Sequence, residues 1–188
     1  MSYIDEIKNY IVPTKQEEQN KKVILNYIEL FPNNVLSRDN EIAHITSSGF
    51  ILNPRLDKML MVHHNIRDTW SWTGGHADGN SNLLEVAIQE AIEETGVNVT
   101  PLFNEIASLD ILTVPGHTKK ETYVNSHLHL SIAYILIADE STLPVVKPDE
   151  NSAVAWFSTE KLNEAFFSSH DVHFYTKLLE RARAAHYG

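Results

Sequence analysis

The sequence predicts an α/β domain built on a mixed sheet covered by helices, with a helical extension at its N-terminus. Three observations predict it. Strand-like and helix-like stretches are interspersed without the regular rhythm of an all-parallel sheet. Residues 83–95 carry helical periodicity with a start signal and a stop signal. The chain of 188 residues is long enough to bury one sizeable core, and no repeat, low-complexity tract or flexible linker divides it.

The elements follow in order. Residues from about 3 to 31 read as helix in two pieces. Ile4, Ile7 and Ile11 fall at helical spacing before "VP" interrupts, and Ile24, Tyr27, Ile28 and Phe31 resume it until Pro32. Residues 1–36 are taken as the extension and 37–188 as the main domain. "AHITSSGFILN" and "KMLMVHHN" read as strands, with "NPRLD" the turn between them. "DTWSWTGGHADGNSN" reads as a loop carrying two tryptophans. The helix from Leu83 to Thr95 follows, stopped by Gly96. Asn82 is its expected cap, with Glu85 closing a capping box. Strand-like stretches then run near 98–113, 124–138 and 153–157. Val172, Tyr175, Leu178, Leu179 and Ala182 form the apolar stripe of a last helix.

Composition excludes several functions. There is no cysteine, so disulfides, thiolate nucleophiles and Cys-based zinc or iron–sulfur sites are out. The formal charge is −10, and Lys21–Lys22 and Lys119–Lys120 are isolated basic pairs, which argues against nucleic-acid binding. No apolar run is long enough to span a bilayer, and the N-terminus has no signal-peptide core, so a cytoplasmic protein with no membrane partner is expected.

The 83–95 helix carries the chemistry. At 100° per residue Leu84, Ala87, Ile88, Ala91 and Thr95 form its core stripe. Glu90, Glu93 and Glu94 stand at i, i+3 and i+4 on another face, where like charges repel by a few tenths of a kcal/mol per pair. Two readings account for this. One is a solvated acidic face. The other is a hard-oxygen site in which Mg²⁺ or Mn²⁺ turns the repulsion into coordination. Spacing alone does not choose.

The surroundings add a resemblance. "GGHADGNSNLLEVAIQEAIEETGV" resembles the Nudix box, the signature of the Nudix hydrolase family. Gly75 matches its first glycine, and Glu90, Glu93, Glu94, Gly96 and Val97 match its end in register. The resemblance implies a Nudix-like α/β/α sandwich. It also implies that Glu90, Glu93 and Glu94, with the Gly75 carbonyl, bind Mg²⁺ or Mn²⁺ for attack of water on a diphosphate. Two positions depart from the box: Ser81 stands for its first glutamate and Gln89 for its arginine. In the family these two side chains pair and brace the loop. Losing both avoids a stranded charge, but leaves the general base open among Glu90, Glu93 and a loop glutamate, Glu150.

Outside the box, Glu150 and Asp149 lie in "PDEN", which also reads as a plain polar turn. His127 and His129 point to one face of a strand and are candidates for the substrate cleft or a metal, against ordinary core or surface roles. As sole zinc ligands they lack a third well-spaced partner. His76 follows Gly75 toward the phosphates. Trp70 and Trp72 can stack on a base or fill the core. Arg55, Arg67 and Lys119 are scattered cations that can reach phosphates or simply decorate the surface; Arg67 and Trp72 are kept as substrate-binding candidates.

The resemblance therefore implies a divalent-metal-dependent hydrolase of a diphosphate bond in a nucleoside diphosphate linked to another group, or a related small molecule. The alternative is a catalytically impaired nucleotide-binding or regulatory domain of the same fold, motivated by Ser81 and Gln89. Isopentenyl diphosphate isomerase shares the fold, but its chemistry uses a cysteine that this chain lacks. Subunit contacts are common in the family, so a homodimer is among the implied partners, with residues 1–31 as a candidate interaction segment.

Overall fold

The strand Ala43–Leu52 (β1) is buried at all of its positions, as befits a strand covered on both faces. It is central to the sheet in the computed structural model, which describes residues 2–119 and 121–187. On one edge β1 runs parallel to His127–Ala138 (β9) along its whole length. Its other edge is shared: Thr73–His76 (β4) pairs with residues 46–49, and Lys58–His64 (β2) pairs with residues 51 and 52, both antiparallel. Thr69–Ser71 (β3) and Asn151–Ser158 (β10) pair with β2. Val99–Pro101 (β5) and Ser108–Val114 (β6) pair with successive parts of β9. His117–Lys119 (β7) and Thr122–Val124 (β8) form a separate hairpin.

Side-chain alternation sorts the two faces of the sheet. Ile45, Ile51, Ile132, Tyr134 and Leu136 face a core shared with the helices Tyr3–Asn9 (α1), Lys15–Leu30 (α2) and Leu83–Thr95 (α3). Phe50, Leu52, Ala133 and Ile135 face a second core built on Ser169–Tyr187 (α4), with Phe174, Tyr175, Leu178 and Leu179. The result is the expected α/β/α arrangement on a mixed sheet. No helix among the described residues is long and apolar enough to cross a membrane.

Several local expectations are corrected. Ile11 is 88% exposed, because α1 stops at Asn9 and the Tyr10 N–H bonds back to Glu6 and Ile7. The buried positions of the two N-terminal helices are Tyr3, Ile7, Glu17, Ile24 and Ile28. The tryptophan–glycine stretch is not all loop: it supplies β3 and β4. Asn82 caps α3 by accepting from the Glu85 N–H, but the Asn82 N–H turns to Asn80, so the capping box is only half made. At the other end Gly96 adopts φ +68°, the left-handed conformation that ends a helix and favours glycine. The fully buried positions of α3 are Leu83, Val86, Ala87, Ala91, Glu94 and Thr95, with Leu84 and Ile88 only partly covered. The core stripe is rotated toward Glu94.

Candidate active site

That rotation places a carboxylate where apolar packing was expected. Glu94 is 5% exposed and accepts from the Gly74 N–H at 3.3 Å. Ligand oxygens of Glu90, Glu94 and Glu150 all lie within 4.8 Å of one another. Gly75 closes one wall, since a Cβ there would overlap the Glu90 carboxylate. Only a glycine strand lets the helix carboxylate come this close. Burial and its two acidic neighbours, Glu90 and Glu150, push Glu94 up to about 8, and burial with Glu150 and Glu93 raises Glu90 too. Three carboxylates in this space hold protons, or they hold a cation. The donor set is all oxygen, which fits a hard divalent ion.

Glu150 reaches the cluster because its loop docks on the C-terminus of α3. The Asn151 side-chain amide donates to the Glu94 carbonyl at 2.9 Å, and the Val145 N–H donates to the Thr95 carbonyl at 2.7 Å. These bonds satisfy carbonyls that a helix end leaves open. Asp149, next in sequence, is exposed and outside the cluster. Glu93 also stands outside the cluster, at the solvent rim, where Lys147 bridges it at 3.0 Å to Glu150 at 3.2 Å. Lys147, which sequence reasoning missed, is thus a cation at the mouth of the site. The two carboxylates raise its pKa against the effect of burial.

The altered box positions are exposed, and no hydrogen bond joins Ser81 to Gln89 among the described residues. The loop before α3 is braced from elsewhere. Arg38 pairs with Asp78 through two nitrogen–oxygen contacts, and the Gly79 N–H donates to the Leu36 carbonyl at 3.0 Å. The segment after α2 therefore holds the loop that the missing Glu–Arg pair would have held.

The remaining candidates divide. Arg67 pairs with Asp171 at 3.5 Å, and Arg55 with Asp57 and Glu140. The Lys119 side chain lies outside the described residues. Trp72 packs edge-on to Tyr175 with ring centroids 5.6 Å apart, and Trp70 packs on Phe157 at 4.7 Å, so both are tied to the second core. His76, His127 and His129 come together with His44, with ring centroids about 5 Å apart. The third and fourth partners that the His127–His129 pair lacked in sequence are supplied by β1 and β4. Burial holds His129 at about 2 and lowers His44, so both imidazoles are neutral near pH 7.

Comparison with known proteins bears on the family and the fold. The family model for the NUDIX domain matches residues 43–178, most of the chain. Among solved structures, a NUDIX-family hydrolase from Clostridium perfringens aligns with a TM-score of 0.53 at 24% identity, over 73% of this chain and 97% of that one. An ADP-ribose pyrophosphatase from Streptococcus suis 89-1591 aligns with a TM-score of 0.51 at 17% identity, over 74% of this chain and 91% of that one. These two likenesses speak for the shared architecture. The family match spans the sheet, the glycine strand and the acidic helix together: the chain belongs to the NUDIX family.

Proposed function

We propose that the protein is a divalent-metal-dependent hydrolase of the diphosphate bond in a nucleoside diphosphate linked to another group, with ADP-ribose the first compound to test. The gathering of Glu90, Glu94 and Glu150 against the glycine strand carries this reading. Those three carboxylates, with the Gly75 carbonyl, are the proposed holders of Mg²⁺ or Mn²⁺. When bound, such an ion neutralises the diphosphate and acidifies a water. Glu94, fixed by the Gly74 N–H, keeps the set in place. Glu150, whose side chain is 38% exposed, is the proposed base that takes the proton of the attacking water. Glu93 and Lys147 line the rim where the substrate phosphates enter. One water is consumed, the P–O–P bond breaks, and two phosphomonoesters leave. Residues 1–36 are proposed as an added helical element and 37–188 as the catalytic unit.

The test is turnover of ADP-ribose, other nucleoside diphosphate conjugates and dinucleoside polyphosphates, with Mg²⁺, with Mn²⁺ and with chelator. Two phosphomonoester products formed only with metal are the expected result. Tight nucleotide binding without turnover at any metal concentration would favour the regulatory reading instead. The loop brace by Arg38 and Leu36 weakens the motive for that reading, because the loop is held without a carboxylate at the position of Ser81.

Gly75→Ala gives a second check. The added methyl displaces the Glu90 carboxylate while touching no buried apolar side chain among its nearest atoms. Metal affinity by calorimetry should fall about 10-fold or more, with little loss of thermal stability. Unchanged affinity would remove Glu90 from the proposed ligand set.

A further inference from the structure

We propose that His44, His76, His127 and His129 form a second metal site, for a borderline divalent transition ion that zinc fits best. Register builds it. His44 and His129 are direct neighbours across the parallel β1–β9 pairing, and His127 lies two residues along the same strand. His76 pairs with Thr46, two residues from His44, on the other edge of β1. Alternation places His44, His127 and His129 on the face of Phe50 and Ala133, away from α3. Three strands thus deliver four imidazoles to one point, with ligand nitrogens within 4.8 Å of one another.

Three details point to a metal. The Nε2 atoms of His127 and His129 are 3.2 Å apart. Zn–N bonds of about 2.0–2.1 Å set an edge of about 3.3 Å in a tetrahedron of nitrogens. Two rings are oriented by backbone carbonyls: His44 Nδ1–H donates to Asn40 O at 2.9 Å, and His127 Nδ1–H to Asn125 O at 2.8 Å. Such partners fix the tautomer and leave Nε2 to ligate. Finally, His44 is 3% exposed and its Nε2 has no hydrogen-bond partner. A buried polar atom left unpaired is costly. A hydrogen bond between His127 and His129 accounts for that pair, but it leaves His44 Nε2 unanswered. A shared ion answers both.

The nitrogen donors separate this site from the carboxylates. Imidazole suits zinc, copper and nickel, whereas Mg²⁺ and Mn²⁺ prefer oxygen. Its ion would clamp β4, the strand that carries Gly74 and Gly75, to β1 and β9. The inference does not depend on the hydrolase reading.

The test uses the full-length protein, stripped by chelator, with Zn²⁺ and then Co²⁺ as the probes. Zinc should bind one per chain at this site and withstand excess Mg²⁺. Co²⁺ held by four nitrogens in a tetrahedron should give intense visible bands, which an oxygen-ligated octahedral ion does not. His44→Ala and His127→Ala should each weaken Zn²⁺ binding 10- to 100-fold and remove the bands. His127 is partly exposed at a strand end, so its variant serves where His44→Ala fails to fold. Glu94→Gln should keep the bands whatever it does to hydrolysis. Absence of intense bands in the parent protein, bands that survive His127→Ala, or bands lost in Glu94→Gln would each overturn the proposal.

Discussion

Glu94→Gln should lower metal-dependent hydrolysis by roughly 10²–10³-fold in kcat while leaving the fold intact. The geometry explains both halves. Glu94 is the most buried carboxylate of its cluster, and its carboxylate accepts from the Gly74 N–H. Glutamine keeps the shape and an oxygen to accept that bond. With an ion bound, it loses the charge that would hold that ion beside Glu90 and Glu150. The chelator-treated variant should melt no lower than the chelator-treated parent, because without an ion burial and the neighbouring Glu90 already keep Glu94 protonated near pH 7, and glutamine exchanges one neutral side chain for another of its shape. Glu150→Gln is expected to separate from it. Loss of a base costs on the order of 10²–10⁴-fold in kcat, with metal affinity changed less than in Glu94→Gln. The measurements are steady-state kinetics across Mg²⁺ concentration, calorimetric metal binding and thermal melts. Full activity in Glu94→Gln at saturating metal would overturn the assignment of the cluster, and a drop in melting temperature matching the activity loss would reduce Glu94 to a structural role.

Much of this site was legible in the sequence, and what was not has identifiable causes. The helix 83–95 was readable because cap, stripe and terminal glycine are local signals. The spacing of Glu90, Glu93 and Glu94 put them near one another, but the rotation of the helix about its axis decides which points inward. That depends on how tightly α3 packs on β1 and β4. It sent Glu94 into the interior and Glu93 toward Lys147. Glu150 was singled out in the sequence beside the reading of a plain turn, but Lys147, Arg38 and Asp78 lie on loops, where a charged residue reads as surface until its partners are known. The histidines show the same limit in a sheet. "HLH" announced a shared face, but His44 joins it only through the parallel register of β1 on β9, and a slip of one residue would send it to the opposite face. Ile11 failed for a local reason: the Tyr10 N–H already closes α1, so the helical spacing continues in the sequence after the helix has ended.

Glu17→Gln should destabilise the protein by about 3–5 kcal/mol, which lowers Tm by roughly 10 °C in a chain of this size. Glu17, on α2, is fully buried. Its carboxylate takes Arg181 from α4, Tyr10 at 2.9 Å and Lys177 at 3.5 Å, while Lys177 also grips Asp110 at 2.9 Å. The substitution leaves Arg181 with no carboxylate partner and Lys177 with Asp110 alone, the costly way to break a buried pair. Adding Arg181→Met should recover part of the loss, and that coupling distinguishes the ion pair from a simple packing defect. Acid supplies an independent check. Burial alone would raise the pKa of Glu17, but the hydrogen bonds and charges of Arg181, Lys177 and Tyr10 outweigh it and hold the group at about 2. Between about 2 and the ordinary glutamate value of 4.5 the unfolded chain binds the extra proton. The contribution is therefore complete above pH 4.5 and fades as pH falls toward 2. The parent should lose stability over that window faster than Glu17→Gln, so that their melting temperatures converge in acid. A loss near zero at pH 7 would mean that the N-terminal helices rest on the sheet and α4 without being locked to them. The expected loss means that α1 and α2 are held to the sheet by charges that α4 and β6 supply.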